Sequence, residues 1–143
     1  MTAFVLHVDD TLEVAVRRLV ELDLPALPVV DDRERFEGVF GEREFVTALF
    51  PGYVGQLKGA AFLRGSLDGA LEKRNHCRFE AVGQHMNTEH VEVGSDHSEL
   101  QVAEIFLHHR VLIVPVVDDK RVVDVISRHG FFRDVAERFL ASP

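Results

Sequence analysis

The sequence predicts a mixed α/β (α+β) fold: two β-α-β-β-α repeats with a helical insertion between them. Two observations carry that prediction. Leu27-Pro28-Val29-Val30-Asp31-Asp32 near one end is echoed by Val114-Pro115-Val116-Val117-Asp118-Asp119 near the other. Around each copy the hydrophobic pattern changes in the same order, from helical spacing to strand alternation and back to helical spacing. At 143 residues the chain has room for one ordinary domain or two small halves sharing a core.

In the first half, residues 1–50, Phe4 to Val8 reads as a strand, and Asp9-Asp10-Thr11 supplies side-chain oxygens to cap a helix. Leu12, Ala15, Val16, Leu19 and Leu22 recur at three- and four-residue steps, which gives that helix one buried face before Pro25. Ala26 to Val30 is the second strand, with proline near its start, valines suited to a pleated surface, and Asp31-Asp32 as turn chemistry. Phe36 to Phe40 follows as a strand and Glu42 to Phe50 as a helix turning Phe45, Ala48 and Leu49 inward. Phe50-Pro51-Gly52 stops it.

Residues 51–81 have no counterpart in the other half. Tyr53, Val54 and Leu57 suggest one short helix, and Ser66 caps another carrying Leu67, Ala70 and Leu71. A stretch this apolar is expected to pack on the module as an insertion, since flexible linkers are rich in Gly, Ser or charge.

The second half, residues 82–143, begins at Val82 to Met86, with His90 to Val93 as its short first strand. A helix follows Gly94 to Ser98, with Leu100, Val102, Ala103, Phe106 and Leu107 as its apolar set. Val111 to Val117 and Arg121 to Ile126 read as strands. Ser127 to Leu140 is the closing helix, expected to bury Phe131, Phe132, Val135, Ala136 and Phe139.

Composition narrows the function. With 46% hydrophobic and 28% charged residues the chain is globular. A formal net charge of −8 argues against a nucleic-acid partner, because affinity for a polyanion comes from basic residues neutralising phosphates. No apolar run approaches the ~20 residues of a membrane span. Met1-Thr2-Ala3-Phe4 lacks the basic-then-apolar pattern of a secretory signal, and the single Cys77 has no internal partner, so the cytoplasm is the expected compartment.

These residues resemble a tandem pair of cystathionine β-synthase (CBS) domains, a Bateman module. The resemblance rests on Thr11 to Ala15, Ala26 to Asp31 and Gly38 to Glu44 in one half, and on Leu100 to Ala103, Val114 to Asp118 and Asp124 to Gly130 in the other. Met1-Thr2 and Met86-Asn87-Thr88 look like the Met-Thr pair that opens many such repeats. The resemblance implies two repeats packed sheet against sheet about a pseudo-two-fold axis, leaving two clefts that take adenosine-containing ligands: AMP, ADP, ATP or S-adenosylmethionine. It also implies a homodimer formed through helices. No cofactor beyond such a nucleotide is expected, and the regulated partner is not named by the sequence.

Carried over residue by residue, the resemblance places Leu27, Pro28, Val114 and Pro115 beside the clefts and Arg43, Glu44, Ser127, Arg128 and His129 at the ligand. An acid early in the last helix of a repeat accepts hydrogen bonds from ribose hydroxyls, and a hydroxyl just before that helix donates to phosphate. Neither half keeps both. The first has Glu44 but Gly41 in place of the hydroxyl, and the second has Ser127 but Gly130 in place of the acid. As plain local chemistry Glu44 is a helix carboxylate, Ser127 an N-cap, and Arg43, Arg128 and His129 a charged helix face.

Two function classes therefore stand: a regulatory module sensing an adenosine-containing ligand, and an interaction module whose clefts are vestigial. An enzyme is not expected, because no phosphate loop, nucleophile triad or carboxylate pair is present. A metal is not expected either. His85, His90, Glu92 and His97 lie close in sequence but match no zinc spacing, and Cys77 beside His76 has no activating triad.

Overall fold

The computed structural model describes residues 4–50 and 67–143. The expected helix around Tyr53, the cap at Ser66 and the opening Met1-Thr2 lie outside the described residues. In the first repeat β1 (Leu6–His7) leads to α1 (Leu12–Leu22), β2 (Ala26–Val30), β3 (Phe36–Gly41) and α2 (Glu42–Leu49). After α3 (Leu67–Lys73) and two 3-10 turns, Asn75–Phe79 and Val82–Gln84, come α4 (Glu99–His108), β4 (Ile113–Asp118), β5 (Arg121–Ser127) and α5 (Arg128–Ala141).

The first sheet has the order β1-β2-β3, with β1 parallel and β3 antiparallel to β2. The second is the antiparallel pair β4-β5. The expected first strand of the second repeat narrows to a parallel bridge between Val93 and Val116. The hairpins match closely. Ala26 pairs with Gly41 as Ile113 pairs with Ser127, and the register shifts after Val29 as it does after Val116. Even the helix entrances agree: the Glu42 N–H donates to the Pro25 carbonyl at 2.9 Å, and the Arg128 N–H to the Leu112 carbonyl at 3.0 Å.

Local chemistry explains the helix ends. Thr11 caps α1 by accepting the Val14 N–H, and Ser98 caps α4 by accepting the Gln101 N–H. Asp23 ends α1 in a left-handed conformation (φ 54°), ahead of Pro25. The first aspartate of each pair is held by backbone donors, Asp31 within its own turn and Asp118 from the loop before α4. Asp31 accepts the backbone N–H groups of Arg33 and Arg35 and pairs with the Arg35 guanidinium at 3.0 Å, while Asp118 accepts the Ser95 N–H at 3.0 Å.

Among the described residues three apolar clusters hold the fold. Leu6, Leu12, Ala15, Leu27, Val29 and Phe40 form the first repeat's core, joined by Cys77 and Val82. Val93, Val114 and Val116 form the second. Between them Val5 and Val30 of the first repeat meet Val122 of the second, with Phe36, Val117 and Val125 packed alongside. This third cluster joins the repeats face to face.

Two expectations about burial are corrected here. Among the apolar set of α4, Val102 is buried and Phe106 packs inward, but Leu100 and Leu107 are 83% and 80% exposed. The closing helix α5 has no buried residue; Phe132, Val135 and Phe139 are exposed, while Phe131 leans on the ring of Phe106 at 5.6 Å. Helical periodicity identified an apolar stripe but not what covers it.

Candidate ligand site between the repeats

The end of β3 and the start of α2 deliver Glu44 to a small cavity that residues of both repeats enclose. Ala26, Val39, Arg43 and Glu44 come from the first; Asn87, His90, Arg110 and Ile113 lie across from them, and the cavity measures about 50 Å³. The segment carrying Asn87 is stitched to β3, with reciprocal Val39 and Asn87 backbone bonds of 2.9 and 2.8 Å. His90 tilts against Phe36 with ring centroids 4.2 Å apart.

Glu44 has a local task. Its Oε1 accepts the Gly41 N–H at 2.8 Å, tying down the first turn of α2, and the carboxylate keeps a second oxygen for other donors. Gly41 is required by packing. A Cβ there would collide with the Pro25 carbonyl oxygen and lie 2.5 Å from the Ala26 Cβ. A side chain at this position would therefore run into the chain's own backbone.

The matching position of the second repeat is built differently. Ser127 Oγ accepts the Gly130 N–H at 3.0 Å as the N-cap of α5, and its own proton remains available to an acceptor. A Cβ at Gly130 would meet only that hydroxyl, at 2.8 Å. Ser127 and Gly130 border a cavity of about 320 Å³ with His97, Glu99 and Asp134, on the side of the two helices α4 and α5. Arg128 and His129 do not line it; His129 sits beside Phe132, with ring centroids 6.3 Å apart. Leu27, Pro28, Val114 and Pro115 are fully buried in the two strands beneath the clefts.

Reading the sequence missed Arg110 and weighed His90 only as a metal ligand. Each lies outside the repeated motif, and only folding brings it to Glu44. The histidines that looked like a cluster go separate ways: His85 pairs with Glu80 at 2.8 Å, His97 meets the Gly94 carbonyl at 2.8 Å, and His90 faces Phe36. Among the described residues no three His, Cys, Asp or Glu side chains converge to hold a metal ion. Burial pushes the Cys77 thiol pKa up, which disfavours the thiolate. A larger cavity of about 630 Å³ lies among α1, α2 and the turn at Cys77, but its arginines are already paired: Arg17 and Arg78 with Glu13, and Arg74 with Glu80.

The fold and the tandem motif both have counterparts in known proteins. A CBS-pair protein, CBSX2 from Arabidopsis thaliana, superposes with a TM-score of 0.73 at 20% identity, over 96% of this chain and 89% of that one. A CBS domain-containing protein of unknown function from Kribbella flavida superposes with a TM-score of 0.69 at 24% identity, over 92% and 91%. CBSX2 has also been solved in complex with AMP, and that structure superposes with a TM-score of 0.67 at 20% identity, over 94% and 88%. At these identities the likeness is one of fold. The CBS domain family matches residues 1–51 and 82–137, so both repeats are accounted for, and the chain belongs to the CBS domain family as a tandem pair.

Proposed function

We propose that this CBS pair is a non-catalytic regulatory module that takes an adenosine-containing ligand in the cleft of Glu44. The observation that carries the reading is a cavity enclosed by both repeats with a carboxylate and cations on its walls. The free oxygen of Glu44 suits ribose hydroxyls, and Arg43 suits phosphate. Ser127 is assigned the second cleft, where Gly130 stands in place of an acid early in the helix; Arg128 and His129 lie on the same turn, outside the cavity that Ser127 borders. The AMP complex of CBSX2 lends the ligand class by analogy of fold. Residues 51–81 are taken as an insertion between repeats 1–50 and 82–143.

A second reading has its own support. A cavity of about 50 Å³ is well below the ~300 Å³ at which small-molecule pockets usually begin. Meanwhile α4 and α5 expose Leu100, Leu107, Phe132, Phe139 and Leu140, a surface suited to a second copy of the chain. We assign that face to a homodimer; if the clefts are vestigial, interaction is the whole function.

A thermal-shift screen with AMP, ADP, ATP, S-adenosylmethionine and NAD separates the two. A ligand at a hundred times its Kd stabilises by ~2.7 kcal/mol, several degrees for a chain of this size. A shift with an adenosine compound supports the sensor, and silence from all five leaves the interaction module.

A further inference from the structure

The chain fills a groove in its first repeat that stands open in its second. Residues 80–83 run beside the approach to α1. The Leu12 N–H donates to the Glu80 carbonyl at 2.9 Å, and the Val82 and Gly83 N–H groups donate to the Asp10 and Val8 carbonyls at 2.7 and 2.9 Å. Thr11 and Ala81 form an antiparallel bridge there. This docking carries Val82, with Cys77 just before it, into the buried cluster that holds Leu12, Ala15, Phe40 and Ala48.

The helix caps and the hairpin register align the two repeats, Thr11 with Ser98 and Gly41 with Ser127. On that alignment Val8, Asp10 and Leu12 become Ser95, His97 and Glu99. Among the described residues the carbonyls of Ser95 and His97 and the N–H of Glu99 have no hydrogen-bond partner. Beside them lies the cavity of about 320 Å³, walled by Val102, Ile126, Phe131 and Asp134. These stand where the first repeat has Ala15, Phe40, Phe45 and Ala48. The cavity therefore matches the ground that Cys77 and Val82 occupy in the first repeat, not the Glu44 cavity, with which it shares no residue. Three free backbone groups in the order and spacing of a filled site, next to an apolar hole, are what an added extended segment requires.

We propose that this groove takes an extended segment of a partner polypeptide, running antiparallel to residues 95–99 with an apolar side chain in the cavity. The filled copy states the chemistry of the occupant. Its carbonyl meets the Glu99 N–H, and two residues later an N–H meets the His97 carbonyl. That second residue is apolar and of valine size, like Val82, which is fully buried. The next is small: a Cβ on Gly83 would already lie 3.2 Å from the Val8 carbonyl oxygen. Main-chain pairing supplies the grip and the side-chain cavity the selection. The module thus holds a partner at a place separate from any nucleotide.

The test uses a synthetic peptide of this chain's own residues 76–86, with Cys77→Ser, titrated by fluorescence anisotropy into the full chain, Glu99→Pro and Glu99→Ala. Proline suits the first position of a helix, and Ser98 before it is extended (ψ 156°), so Glu99→Pro removes the N–H and spares α4. Glu99→Ala keeps the N–H and loses only an exposed carboxylate, the one paired with Arg138. The groove predicts that the peptide binds and that Glu99→Pro weakens it roughly 3- to 10-fold. Glu99→Ala should stay within about twofold, because exposed ion pairs contribute little. A Val82→Asp peptide should not bind. Should Glu99→Pro fail to fold, amide exchange on the native chain decides, since bound peptide must slow exchange at Glu99. No binding, equal binding by the Val82→Asp peptide, or indifference to Glu99→Pro overturns the groove. Glu99 protection that rises with protein concentration alone gives the groove to a second copy and overturns the partner.

Discussion

The two repeats share a hairpin and differ in what surrounds it. In the first, the helix layer carries a cover: Arg74 donates twice to the Ala48 carbonyl at the end of α2, at 3.1 and 3.0 Å, and Cys77 and Val82 enter the core. In the second, α5 buries no residue. The clefts differ in a parallel way. Gly41 is locked against Pro25 and Ala26, whereas Gly130 faces only a serine hydroxyl. A duplicated unit has thus kept its backbone pairing while its two outer surfaces differ. The hairpin is fixed by hydrogen bonds that both copies need; the surfaces are free to diverge.

Substitution of the two glycines exposes that difference most sharply. Gly41→Ser places a Cβ against backbone that cannot yield cheaply, and overpacking of this kind costs about 1–3 kcal/mol or more, a fall of several degrees in Tm. Gly130→Asp should change stability by no more than about 1 kcal/mol, since a helix gains on losing a glycine and Ser127 can turn aside. It also restores an acid to the second cleft. Thermal melts of the two variants side by side check this, and equal losses would mean that the clefts are not unlike.

Smaller effects sharpen the comparison of helix faces. Arg74→Ala removes two hydrogen bonds from a charged donor, so it should cost roughly 1.5–3 kcal/mol and speed amide exchange between residues 74 and 87. Phe139→Asp on the open face should convert a dimer to a monomer by light scattering at micromolar concentration, whereas Val20→Asp on α1 should leave the mass unchanged. A native protein that is already monomeric would refute the assignment of that face.

Acid acts on one aspartate of each repeat, and most weakly. Hydrogen bonds from the Arg35 and Arg33 backbone lower the Asp31 pKa, and hydrogen bonds from Ser95 lower that of Asp118. A carboxylate with a lowered folded-state pKa contributes stability above its unfolded value, near 4, and loses it as pH falls through the lower folded value. The melting temperature should therefore drop below about pH 4, and Asp31→Asn or Asp118→Asn should flatten that drop.

Much of this was legible in the chain. Proline, paired valines and paired aspartates located β2 and β4, and threonine and serine caps located α1 and α4, because each is decided by neighbours in sequence. Arg110 was not legible, since nothing local marks a residue that folding carries to Glu44. Nor was the exposure of Phe132 and Phe139, because a helical stripe looks the same whether a core or a partner covers it. The reason for Gly41 was hidden too: it lies in the path of Pro25 and Ala26, and only the register of β2 against β3 puts them there.

The unequal clefts make one demand that can be measured directly. Calorimetric titration of the native chain with ATP, repeated on Glu44→Gln, counts the sites and weighs the carboxylate while leaving an amide oxygen to hold the Gly41 N–H. The account predicts one site per chain, in the micromolar range or weaker, and a loss of about 10- to 100-fold in Glu44→Gln. Two equal tight sites, or one site indifferent to Glu44→Gln, would contradict it.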